Sequence, residues 1–196
     1  MATVAPAAPD PGPGAVLPRL ARGAIEARLR DPLVGYDRAQ APPWLEEHRA
    51  TYVTLWADER IRGCIGSPLP LRPLGEDVWL TARAAAFQDL RFPPLDAREL
   101  PAVSIEVSVL SPLEPLGWRR EDEVVAALRP GIDGFILQNE LHRGVFLPFM
   151  WRELPTPERF LSELKLKARL PPDFWGPEAR LWRFTVESYR EAPARA

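Results

Sequence analysis

The chain has 196 residues, 46% of them hydrophobic, and 25 basic and 27 acidic side chains leave a formal net charge of −2. That length fits one ordinary domain with a substantial core, and the balanced charge gives no general pull toward nucleic acid or an anionic membrane. No run approaches the ~20 continuous apolar residues of a membrane span, Met1–Pro18 lacks the basic-then-apolar pattern of a secretory signal, and the single cysteine, Cys64, rules out an internal disulfide; the expectation is a cytoplasmic protein.

Residues 1–14 are rich in Ala, Pro and Gly and have no periodic apolar pattern, so they read as a disordered tail, with a short C-terminal tail at 192–196. A single domain is expected between them, over 15–191. Val16, Leu17, Leu20, Ala24, Ile25 and Leu29 recur at helical spacing and predict a helix over Ala15–Arg30, ended by Asp31-Pro32 because the residue before proline avoids the α region. Thr51–Ala57 is β-branched and aromatic, hence a strand. Asp58-Glu59 then turns the chain into a second strand, Arg60–Ile65. Pro73 suits the first turn of a helix running to about Gln88, and the paired prolines in Asp89–Leu95 require an irregular crossing.

Val103–Val109 alternates, with Val103, Ile105, Val107 and Val109 on one face and Ser104, Glu106 and Ser108 on the other, the mark of a half-buried strand. A short helix is predicted over Glu121–Leu128. A hairpin follows from Phe135–Gln138 and Leu141–Leu147, then a helix capped by Thr156 with Pro157 in its first turn, and a last strand over Leu181–Ser188. Without a regular strand–helix–strand repeat, this order favours an α+β fold with a mainly antiparallel sheet and flanking helices. The seven tryptophans are scattered, and most are assigned to core packing.

The sharpest local feature is Arg62-Gly63-Cys64-Ile65-Gly66. Gly63 and Gly66 permit tight turning and close approach of another molecule. Cys64 is a candidate thiol nucleophile, and Arg62, two residues away on the same strand face, is its candidate electrostatic partner. The competing reading is a small buried cysteine at a strand end. Asp89, Arg91 and Phe92 form a second cluster, either a pocket wall or an internal contact that fixes a loop. Glu106 is a weaker candidate base if its face of the strand lines a site, and His142 is one of only two histidines that can stand near the thiol. Among the basic residues only Lys165 and Lys167 are lysine, whose pKa can fall on burial. Paired cysteines, His-Glu-x-x-His, phosphate-binding glycine loops and Gly-x-Ser-x-Gly are all missing, so no metal or cofactor is expected in this chain.

The run Arg60-Ile61-Arg62-Gly63-Cys64-Ile65-Gly66 resembles the signature of the AMMECR family. Further blocks similar to the family's follow in order: Ala84–Leu95, Glu99-Leu100-Pro101 with Ile105–Ser111, Arg129–Gly134, Phe146-Leu147-Pro148 and Leu164–Ala168. The resemblance spans Leu17–Tyr189 and is strongest to the bacterial type called AmmeMemoRadiSam system protein A. Ser67-Pro68 and Leu90 depart from the usual pattern. The resemblance implies two unequal lobes with a cleft, lined by Gly63, Gly66, Asp89, Arg91, Phe92 and Lys167 as candidate ligand-binding residues. It implies no established reaction. By association it implies a Memo-like protein and a radical S-adenosylmethionine (SAM) protein as partners, without nucleic acid or membrane. Two readings follow: an enzyme or enzyme component acting on a small metabolite, or a non-catalytic module presenting the same loop to those partners.

Overall fold

The computed structural model describes residues 12–39, 41–117, 120–174, 176 and 180–191. In chain order these form α1 (Pro13–Arg30), β1 (Thr51–Ala57), β2 (Arg60–Gly66), α2 (Leu74–Phe87), β3 (Ser104–Leu110), β4 (Glu114–Leu116), α3 (Glu121–Ala127), β5 (Gly134–Gln138), β6 (Arg143–Phe146), α4 (Pro157–Lys167), β7 (Arg180–Phe184) and β8 (Val186–Arg190), with short 3-10 turns between some of them. The fold is α+β, as expected, with its strands in two antiparallel sheets rather than one. The chain divides into two compact units, one up to Ser108 together with the residues from Ser188, the other Val109–Glu187.

In the first unit the sheet order is β2-β1-β3-β8, which leaves β2 at an edge. Helix α1 forms because Leu17, Ala21, Ala24 and Ile25 recur on one face, and all four are fully buried. It begins two residues before the expected Ala15, with Pro13 at its first position, so Pro13 and Gly14 are helical rather than tail. Residues 1–11 and 192–196 lie outside the described residues. At its other end the Asp31 N–H donates to Ala27 O at 2.7 Å before Pro32 stops the helix. Pro73 is not in the first turn of α2 but precedes it with extended backbone (ψ 142°). Val78, Ala82 and Ala85 of α2 are buried with Val53, Leu55, Ile105 and Val107 of the sheet. Each large side chain here contributes roughly 1.5–3 kcal/mol on burial. Val103, Ile105, Val107 and Val109 are all buried as expected, but the alternation of β3 fails at its end, where Ser108 of the opposite face is buried too.

The second unit has sheet order β4-β7-β5-β6. Its core centres on Phe160 of α4, stacked on Trp151 (centroids 3.9 Å apart) and edge-on to Phe135 and Phe146 (5.7 and 5.2 Å). Lys165 is fully buried, and its Nζ donates to Glu121 Oε1 (2.7 Å) and Pro172 O (2.8 Å), so one of the two lysines serves as a structural tie.

Several expectations are corrected. The single strand Leu181–Ser188 is two strands, β7 and β8, in different sheets, broken at Thr185, whose N–H and C=O both pair with Ser111. Strand β4 has no alternation long enough to read, and its Pro115 is tolerated because the strand lies at an edge. Leu141 and His142 belong to the hairpin turn rather than to β6, since both donate their N–H to Asn139 Oδ1. Thr156 stands at the N-cap of α4 but its side chain makes no capping bond. Of the described tryptophans only Trp151 is buried; Trp44, Trp56, Trp79 and Trp182 are half-buried, and Trp118 and Trp175 lie outside the described residues.

Candidate functional site

The Arg-Gly-Cys-Ile-Gly run lies within edge strand β2. Asp58 and Glu59 both have positive φ (48° and 57°), the two-residue turn that suits a twisted hairpin. The pairing then shifts at a bulge between Leu55 and Trp56, so that Cys64 opposes Thr54, and Gly63 opposes Leu55. Gly63 faces helix α2: a Cβ there would stand 2.2 Å from Ala85 O. At Gly66 a Cβ would stand 2.3 Å from the Tyr52 ring and 2.5 Å from Thr51 O. The glycines are therefore demanded by the protein's own packing, not left open for another molecule, and neither has the positive φ of a tight turn.

Cys64 is half-buried, and the Thr54 hydroxyl donates to its Sγ at 3.3 Å. An edge residue normally leaves its outward N–H and C=O to water or to another chain. Here the loop after α2 takes both. The Cys64 N–H donates to Asp89 Oδ2 (2.9 Å), and Arg91 Nη2 donates to Cys64 O (3.2 Å). Asp89 and Arg91 are themselves locked by bonds from Arg91 Nε to Oδ1 (2.9 Å) and from Nη2 to Oδ2 (2.6 Å). The Asp89 side chain is 5% exposed and that of Arg91 58%. The Arg91 guanidinium, chiefly, and the N–H groups of Cys64 and Arg91 hold the Asp89 carboxyl far below the usual carboxylate range, against the opposing effect of burial. Of the two roles open to this cluster, the contact that fixes a loop is the one observed.

Arg62 sends its hydrogen bonds to the other side of the loop rather than to Cys64. Its Nε and Nη2 both donate to Glu99 at 3.0 Å, and Nη2 also donates to Pro93 O at 3.0 Å. That charge lowers the Glu99 pKa, with the Asp96 N–H adding to the effect. Phe92 lies under two guanidinium groups, 5.8 Å from Arg62 and 5.4 Å from Arg91. The Leu95 N–H donates to Ala86 O at 2.8 Å, and the Leu95 side chain is buried. The loop is thus fastened at both ends and in its middle, while Leu90 is 99% exposed and Pro93 and Pro94 face solvent.

Of the remaining candidates, Glu106 belongs to the same unit as Cys64, and Lys167 and His142 belong to the other. Glu106 makes no hydrogen bond among the described residues; its neighbours on that face of β3 are engaged elsewhere, Ser104 with Arg190 and Ser108 with Ser188. Lys167 closes α4 in the other unit. Its Nζ lies 4.8 Å from the Phe146 ring centroid, and burial lowers its pKa. His142 sits in the β5–β6 turn and His48 is exposed. Among the described residues no group of three or more His, Cys, Asp or Glu side chains is placed to hold a metal ion, and no helix is long and apolar enough to cross a membrane. A cavity of about 840 Å3 in the first unit is lined by Arg19, Arg22, Trp56, Asp58 and Arg190 among others, but by none of the residues expected to form the site. Sequence reasoning missed Thr54 and Glu99, the side chains that meet Cys64 and Arg62. A simple two-residue hairpin would have paired Thr54 one position away, and only the bulge brings it opposite the thiol.

The model of the family described as AMMECR1 matches residues 18–189. A protein of Methanothermobacter thermautotrophicus is 38% identical over 180 residues, covering 91% of this chain and 94% of its own. One of Thermococcus gammatolerans is 39% identical over 189 residues, covering 91% and 90%. The crystal structure of the uncharacterized protein PH0010 from Pyrococcus horikoshii has the same fold, with a TM-score of 0.83 at 35% identity over 93% of each chain. Match, identity and fold agree along nearly the whole length: this chain belongs to the AMMECR1 family.

Proposed function

We propose that this chain is a cytoplasmic, non-catalytic interaction module of the AmmeMemoRadiSam system protein A type. Its partners are a Memo-like protein and a radical SAM protein, and its working surface is the loop Asp89–Leu95 mounted on strand β2. The observation that carries this reading is the clamp of Asp89 and Arg91 on Cys64. Two charged side chains close the strand edge as a neighbouring strand would, and they hold an exposed apolar loop in one conformation. A preordered loop binds without the entropic cost of fixing it. The enzyme reading has less support. Arg62 is committed to Glu99, no histidine is bonded to Cys64 among the described residues, and Glu106 has no contact that would make it a base for the thiol.

The test is a calorimetric titration of the purified chain against the Memo-like protein and the radical SAM protein of its own genome. Wild type and Cys64→Ala bind at least one of them with equal affinity if the thiol is structural. Loss of binding or of a coupled activity on Cys64→Ala, with the fold intact, returns the thiol to the centre of the function.

A further inference from the structure

The cavity of about 840 Å3 in the first unit has the size of a small-molecule site. Six charged side chains line it, and four of them are spent on one another. Arg22 of α1 grips Glu191 through Nε and Nη2, both at 2.6 Å, and Nη2 also donates to Val103 O at 2.6 Å. Arg190 of β8 donates to Glu59 Oε2 and Oε1 at 3.0 and 2.7 Å and lies over the Trp56 ring, 5.1 Å from its centroid. These pairs tie α1, β8 and the β1–β2 turn together, so the walls stand before any ligand arrives. Two charges are left over, one of each sign. Arg19, on α1 three residues before Arg22 and so on the same helix face, and Asp58, in the β1–β2 turn, make no hydrogen bond or ion pair among the described residues. Ala15, Pro101 and Ala102 add apolar lining. The Trp56 Nε1 also lacks a hydrogen-bond partner, but it is fully buried and closed to a ligand. A lone surface charge is usually just solvated. Two unpaired charges of opposite sign on one cavity, whose other charges cancel, are selective: a purely anionic or purely cationic molecule matches one of them and leaves the other unmatched.

We infer that this cavity binds a small zwitterion of the amino-acid or peptide class, its carboxylate held by Arg19, its ammonium group by Asp58, and its apolar body set against Ala15, Pro101 and Ala102. A guanidinium suits a carboxylate because its planar fork can donate two parallel bonds, and the Asp58 carboxylate accepts from an ammonium group. The Arg22–Glu191 and Arg190–Glu59 pairs hold the two walls apart at a fixed spacing rather than contact the ligand's charges. No residue lining the cavity belongs to the loop Asp89–Leu95, so this site is separate from the working surface proposed above and stands or falls without it.

The test is calorimetry of the full chain near neutral pH, where an α-amine is largely cationic. The probes are leucine and leucyl-leucine, which carry the same two charges at two spacings, and the N-acetyl and C-amide form of each, which lack one charge. Asp58→Asn and Arg19→Gln remove the matching charge from the protein. Both residues are exposed, and asparagine tolerates the positive φ of 48° at position 58, so both variants should keep the wild-type melting curve. The expected result is that wild type binds at least one zwitterion and loses about tenfold or more in affinity when either charge of that ligand is capped. Asp58→Asn should lose a similar factor for the zwitterion and become indifferent to acetylation, and Arg19→Gln should become indifferent to amidation. Charges with a merely structural role would not produce this pairwise cancellation. The assignment is overturned if neither zwitterion binds wild type at concentrations up to about 10 mM, or if capping either end costs the matching variant as much as it costs wild type.

Discussion

Gly63→Ala tests whether the signature glycine is a packing requirement. A Cβ at this position would lie 2.2 Å from Ala85 O, 3.2 Å from Ala85 C and 3.5 Å from Leu55 Cδ1. The obstructing atom is helix backbone, so no side chain can swing aside. Restoring an ordinary carbon–oxygen contact of ~3.3 Å needs α2 and β2 to separate by roughly 1 Å. A gap of that size forfeits a quarter to a half of the dispersion attraction at each contact it opens, and α2 contacts the sheet through Val78, Ala82 and Ala85, all buried. The cost belongs at the upper end for overpacking, about 3 kcal/mol, which for a chain of this size lowers Tm by about 6–12 °C. The matched control is Gly23→Ala in the middle of α1, where a Cβ meets nothing within 4 Å. There the same substitution stabilises by about 0.5–1 kcal/mol, because alanine loses less backbone freedom than glycine on entering a helix. Thermal melts of both variants decide the matter. A Gly63→Ala protein that melts within about 2 °C of wild type, against the several degrees expected at this size, would refute the packing argument and reopen the glycine for a ligand.

Asp89→Asn removes a charge that accepts bonds from Cys64 and Arg91, and should cost about 2 kcal/mol near neutral pH. The folded-state pKa of Asp89 lies far below its ordinary 3.8, so its stabilisation is complete well above that value and is lost progressively as pH falls from there toward the folded-state pKa; denaturant melts of wild type and variant should begin to draw together only below about pH 4. Half-burial and the Thr54 hydrogen bond make Cys64 react more slowly with iodoacetamide in the folded chain than in urea, and Asp89→Asn should raise the folded rate by loosening the loop. A wild-type thiol that reacts faster folded than unfolded would contradict the structural assignment.

Local pattern made much of the fold legible. Thr51–Ala57 is strand to the residue, the alternation of Val103–Val109 identifies its buried apolar side chains though not the buried Ser108, and α1 follows its apolar spacing. What pattern cannot supply is a decision taken in three dimensions. The alternation of Leu181–Ser188 runs on through Thr185, while the backbone leaves one sheet for another because Ser111 stands opposite. Arg62 and Cys64 share a strand as the sequence suggests, yet Arg62 turns to Glu99, 37 positions away, and Cys64 meets Arg91 instead. The Asp89–Arg91 pair was readable as a loop-fixing contact. That its object is the outward edge of Cys64 was not, because sheet order is set by long-range pairing.

Hydrogen–deuterium exchange of the chain alone and in complex with the purified Memo-like protein or radical SAM protein tests the central claim most directly, because it reports which backbone the partner covers. The account predicts added protection confined to peptides over Asp89–Leu95 and the adjoining strand Arg60–Gly66. Protection that falls elsewhere while these segments exchange as in the free chain would contradict it.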